Sequence, residues 1–78
     1  GLGSAAKAVS ITDANATHSA TKGVYIGTGD NYDFSFDGST WVAIQNCPEG
    51  AVLPFRVVGA RKTSGSAAPS SGDIVFLY

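Results

Sequence analysis

The sequence predicts an all-β protein, a single small antiparallel β-barrel or sandwich of about six strands preceded by an extended N-terminal arm. Three observations carry this expectation. Residues 32–37 alternate strictly, with Tyr32, Phe34 and Phe36 on one face and Asp33, Ser35 and Asp37 on the other, which is the period of a strand. Gly, Asp, Asn and Pro punctuate the short apolar runs throughout, as turns between strands require. No stretch of useful length repeats its apolar residues at helical spacing, and no repeat of 20 to 50 residues is present.

Residues 1–8, GLGSAAKA, hold too little bulk for a core and read as an arm, so the β domain is expected over residues 9–78. Such an arm needs support from a neighbouring subunit or from the core of its own domain. Val9 and Ile11 flank Ser10 in a short first strand, and the polar residues 13–22 form a loop. Val24, Tyr25 and Ile26 make the second strand between Gly23 and Gly27, closed by Gly29, Asp30 and Asn31. After the alternating third strand the chain reverses at Asp37 and Gly38 into residues 40–45. An odd-length connection centred on Gly38 sets Phe34 against Val42 and Tyr32 against Ile44, and it points Trp41 away from that core. Matching of hydrophobic partners favours this register over the two-residue turn.

Pro48 and Gly50 form a turn begun at Cys47, of the kind expected of type I. A long strand follows over residues 51–62. Pro54 interrupts it, because proline donates no ladder hydrogen bond and belongs at an edge or a bulge. Residues 63–72, TSGSAAPSSG, carry no large side chain and read as a loop or arm. The closing Ile74, Val75, Phe76, Leu77 and Tyr78 are apolar on both faces, as in a central strand or one sandwiched between subunits.

Composition narrows the function. A chain of 78 residues buries only about 60 to 65% of its unfolded surface when it folds alone, and its single cysteine, Cys47, excludes an internal disulfide. Association is the remaining route to extra stability. Charged residues make up 14% of the chain, against about 25% in an ordinary soluble domain. A net charge of −1 offers no basic field to nucleic acid or to an anionic membrane, and no apolar run approaches the roughly 20 residues of a bilayer span.

Candidate chemical sites are few. Asp33, Ser35, Asp37 and Gly38 open like a calcium loop, but Ile44 stands where the bidentate carboxylate belongs; a solvated hairpin face is the expectation, and no metal site is assigned. Gly27 and Gly29 form a lone G-x-G with no helix after it, which turn geometry explains. Cys47 becomes a nucleophile only with a base beside it; the lone His18 sits in a polar loop, so Cys47 reads as a packed thiol. Asn15, Ala16 and Thr17 match a glycosylation sequon. Trp41, Tyr25 and Tyr32 would serve a glycan-binding module of a tail or fibre if they formed one stacking platform, the alternative to an assembly role.

In order and spacing, Gly23, Tyr25, Gly27 and Asp30, then Pro48, Gly50, Leu53, Pro54, Arg56 and Val57, then Ile74 to Tyr78 carry a resemblance. Together they resemble the small spike-base proteins of tailed-phage virions and gene transfer agents, over residues 21–78. The chain departs from that pattern in Asp33, Ser35 and Asp37, in Cys47 and in its longer last spacer. The resemblance implies a non-enzymatic head spike-base or decoration subunit at a capsid vertex on the virion surface. Its implied partners are further copies in a cyclic oligomer, fivefold by that location, together with the major capsid protein and a spike or fibre protein; no cofactor is implied. Leu2, Trp41, Pro54, Arg56, Arg61, Ile74, Val75, Phe76, Leu77 and Tyr78 are the residues expected at subunit boundaries.

Overall fold

A computed structural model describes residues 5–14, 16–63 and 67–78. Seven strands form: β1 (Ala8–Ser10), β2 (Gly23–Ile26), β3 (Asp30–Ser35), β4 (Trp41–Cys47), β5 (Val52–Leu53), β6 (Gly59–Lys62) and β7 (Ile74–Leu77). They make two sheets, β1-β7-β2-β5 and β4-β3-β6, and every pairing is antiparallel. The protein is all-β, and the core lies between the sheets, built from residues such as Val24, Ile26, Ile74 and Phe76 of one and Tyr32, Phe34 and Ala60 of the other.

The strand beyond the expected six comes from residues 51–62, which do not form one long strand. β5 pairs with β2 in the first sheet and β6 with β3 in the second, so the chain changes sheets between them. Pro54, the first residue after β5, cannot extend the ladder. Thr21 secures the crossing. Its hydroxyl donates to the Phe55 carbonyl (2.7 Å) and accepts from the Val57 amide (3.0 Å), while its own amide donates to the Val57 carbonyl (3.1 Å). A polar residue that is 1% exposed is tolerable because these bonds leave it satisfied.

The β3–β4 register is the one that hydrophobic matching predicts, with Phe34 opposite Val42 and Tyr32 opposite Ile44. Two details of β3 differ from expectation. The strand ends at Ser35, leaving Phe36 46% exposed against the Phe55 ring. Its polar face is covered too, with Asp33 8% and Ser35 0% exposed, because Arg61 and Thr63 bond Asp33 and Trp41 stands opposite Ser35. The Pro48 turn is also shifted by one residue. Ala51 donates to the Pro48 carbonyl and Gly50 takes a φ of 80° at the third position, the signature of a type II turn rather than type I.

Gly27 is required by close approach rather than by turn geometry. A Cβ there would stand 1.8 Å from the Gly72 carbonyl oxygen. Its amide donates to the Asp73 carbonyl, so the chains cannot part without losing that bond. The arm is shorter than expected, since Ala6 and Lys7 donate to the Tyr78 carbonyl and Lys7 accepts from the Tyr78 amide, extending the β1–β7 pairing.

Tyr32 is fully buried with its hydroxyl donating to the Thr28 carbonyl at 2.7 Å. Burial, with the Asp73 and Asp30 charges adding, pushes its phenol from 10.0 up to about 12. A raised pKa favours folding below pH 10 and loses that contribution as pH climbs toward 12. Tyr32→Phe is therefore expected to flatten the fall of stability between those limits in alkaline denaturant titrations, while costing about 1 kcal/mol at neutral pH for the lost hydrogen bond. Gly27→Ala is expected to lower the melting temperature well beyond Gly50→Ala, where the added Cβ meets nothing within 4 Å and only the φ of 80° is strained.

Candidate interaction surfaces

The outward face of the β4-β3-β6 sheet carries its own sealed polar cluster. Asp33 and Arg61 are directly opposed across β3 and β6, so their side chains share a face. Arg61 Nε donates to Asp33 Oδ2 at 3.1 Å and Thr63 Oγ1 to Asp33 Oδ1 at 3.0 Å. The guanidinium lies 4.1 Å from the centre of the Trp41 ring, within cation–π range. Trp41 in turn covers Gly59, where a Cβ would approach its Cη2 to 3.0 Å. Trp41 thus points away from Phe34, as the register requires, and is half-buried on the other side of the sheet. Arg61, expected to reach a neighbouring subunit, is spent within the chain.

The calcium-like residues do not converge. Asp33 serves Arg61 and Thr63, Ser35 Oγ accepts the Gly38 amide, and Asp37 Oδ1 accepts the Ser39 and Thr40 amides. The bonds from Thr40 and then Ser39 hold the Asp37 carboxyl below its usual range. Among the described residues no three His, Cys, Asp or Glu side chains gather as a metal set would.

Cys47 and His18 stand at opposite ends of the same sheet. Cys47 pairs with Asp30 at the start of β3. The His18 amide bonds the Val58 carbonyl, and the Val58 amide bonds Ser35 at the other end of that strand. Five strand steps, roughly 16 Å, separate the two ends. Cys47 is 3% exposed in the core and burial pushes its thiol up, the opposite of nucleophile activation. His18 Nε2 donates to both Asp13 oxygens at 3.1 Å and its ring meets the Phe76 ring edge-on.

The glycan platform also dissolves. Tyr32 is in the core, Tyr25 lies on the outward face of the first sheet, and Trp41 on that of the second.

Two apolar surfaces remain open. The first is the outward face of the β1-β7-β2-β5 sheet, where Tyr25 stands opposite both Val75 and Val52. Tyr25 is 38% and Val52 48% exposed, and Val75 and Leu77 are partly exposed beside them. Ile74 and Phe76, expected at a subunit boundary, are fully buried in the chain's own core, because β7 is a central strand and gives that face to the interior. Tyr78 is half-buried, with its hydroxyl on the Ser19 carbonyl and the Lys7 ammonium 5.4 Å from its ring centre. Pro54 and Arg56 are exposed on the crossing segment. Leu2 and the sequon's Asn15 lie outside the described residues.

The second surface is a seam. Residues of β4 on the core-facing side, Val42 and Ile44, are 44% and partly exposed, and Phe36 and Phe55 continue the apolar strip. β4 and β5 are outer strands of their respective sheets and are joined by the Pro48 turn. Among the described residues no strand bridges them, and Val42 and Phe36 are left 44% and 46% exposed there.

Asp33→Ala is expected to cost about 2 to 4 kcal/mol, since Arg61 and Thr63 are left unpaired in a largely buried setting. Asp33→Ala with Arg61→Met is expected to cost less than the sum of the single changes, measured by a double-mutant cycle in urea. No family model, curated protein or solved structure matches the chain.

Proposed function

We propose that this chain is a non-enzymatic virion structural protein, a spike-base or decoration subunit of a phage head. It acts by assembling with itself, with capsid protein and with a spike or fibre protein. The observation that carries the reading is the outward face of Tyr25, Val52, Val75 and Leu77, an apolar patch left uncovered on a chain with 14% charged residues. Exposed contiguous apolar surface on a small domain marks an interaction site. The order of turn and strand residues through Pro48, Gly50, Leu53, Pro54 and Arg56, and on to Tyr78, supports the particle class by resemblance.

Internal commitments of the chemically capable residues support the non-enzymatic part of the proposal. Cys47 is packed, His18 is tied to Asp13, and Asp33 is tied to Arg61. Exposed Arg56, beside Pro54 on the crossing, is the cation positioned to meet an acidic neighbour.

Mass spectrometry of purified particles, with cross-linking to map neighbours of one copy, tests the proposal. The expected result places Val52 and Val75 against another chain, and Val75→Asp is expected to reduce incorporation at least about tenfold while the free subunit stays folded. A protein absent from particles, or incorporated equally well with Val75→Asp, overturns it.

A further inference from the structure

The four outer strands of the two sheets differ sharply in how they are protected. β1 and β5 span three and two residues, and short edges offer little to a partner. β6 spans four residues, and the amide of its last, Lys62, is already bonded to the Ala67 carbonyl. β4 spans seven residues, WVAIQNC, contains no charged residue and no proline, and among the described residues pairs with β3 alone. Alternate amide and carbonyl groups of an edge strand point outward unpaired. Natural edges are normally blunted by charge, proline or a bulge. Here that device is the register shift between Ile44 and Cys47, where Gln45 and Asn46, the latter with a φ of 58°, stand opposite Asn31 alone, so residues 41–44 form the regular, uncharged part of the edge.

We propose that β4 pairs antiparallel with β4 of a second copy around a two-fold axis through Ala43. Sequence and geometry select this occupant and this register. With Ala43 opposite itself, Val42 meets Ile44 of the second copy and Trp41 meets Gln45, and each pair occurs twice. Apolar side chains therefore face apolar ones on the core side, and two small alanines meet at the axis on the other. Moving the register by one pair in one direction brings Asn46 and its positive φ into the ladder; moving it in the other recruits the turn residues before Trp41. The Ala43 register keeps Val42, Ala43 and Ile44 paired within regular strand and reaches only as far as Gln45, ahead of Asn46. No charge opposes its like, because β4 carries none.

The pairing also covers the seam. Opposed residues share a face, so both copies' core-facing sides lie on the same side of one continuous six-stranded sheet, β6-β3-β4 joined to its two-fold mate. Val42 and Ile44, exposed in one copy, then pack against their counterparts, with Phe36 of each copy alongside. Such a dimer uses a different surface from the Tyr25, Val52, Val75 and Leu77 face, so the two readings stand or fall separately.

Light scattering and mild-oxidation cross-linking of the full chain test the pairing. Antiparallel partners have Cα atoms about 4.5 to 5.5 Å apart, inside the span a disulfide bridges. Ala43→Cys is expected to give a covalent dimer, whereas Gln45→Cys, which faces Trp41 in this register, and the native chain with its buried Cys47 are expected to give none. Val42→Lys is expected to raise the dimer dissociation constant at least about tenfold by placing like charges at the joint; Val52→Lys, on the outward face of the other sheet, is expected to leave it unchanged. Should Val42→Lys fail to fold by circular dichroism, the cross-linking alone decides. A chain monomeric at roughly millimolar concentration, or Ala43→Cys cross-linking no faster than Ser39→Cys in the adjacent exposed turn, overturns the proposal. A stable monomer would leave the edge for an extended strand of another protein.

Discussion

The whole arrangement hangs on the passage of the chain from one sheet to the other at residues 54–57, and on the hydroxyl of Thr21 that holds it. A backbone leaving a ladder exposes amide and carbonyl groups that a dry interior penalises by about 1 to 3 kcal/mol each when unpaired. Thr21 satisfies two of them with one oxygen and a third with its own amide. Pro54, just before, needs no partner for its nitrogen. With this joint in place β5 and β6 can serve different sheets, and the core between them can close.

From the joint follows the placing of two of the inner strands, β7 and β3. Each has neighbours on both sides and gives one face to the core, but their outward faces meet different chemical ends. β7 is apolar throughout, giving Ile74 and Phe76 to the core and Val75 and Leu77 to an open outward face. β3 gives Tyr32 and Phe34 to the core and Asp33 and Ser35 to a polar cluster closed by Arg61, Thr63 and Trp41. The second sheet is thus sealed outward by a hydrogen-bonded ion pair under an aromatic ring, and the first is left apolar and uncovered. That asymmetry is what makes one face of the molecule a better surface for association.

Edges complete the pattern. A small sandwich must expose outer strands, and this one keeps three of them to four residues or fewer and leaves β4 long and uncharged beside an open seam. The same lack of charge that keeps the chain's surface poor in ions removes the usual protection from that strand.

Much of this was legible in the sequence where the signal is local. Alternation at residues 32–37, the Gly38 reversal and the pairing of Phe34 with Val42 all follow from side chains a few positions apart, whose faces are fixed by the two-residue period. The all-β class and the apolar closing strand are of the same kind. Contacts between strands distant in sequence were not legible. Asp33 and Arg61 are 28 residues apart, so nothing near Asp33 distinguishes a buried ion pair from a solvated face; Arg61 and Trp41, Ile74 and Phe76 likewise acquire their roles only when the sheets are ordered. Sequence by itself determined which residues can form strands and which must turn, because those preferences act through φ, ψ and immediate neighbours. Tertiary structure alone decided which strands are central, which polar groups find partners and which apolar side chains stay exposed, because burial depends on what the rest of the chain brings to either side.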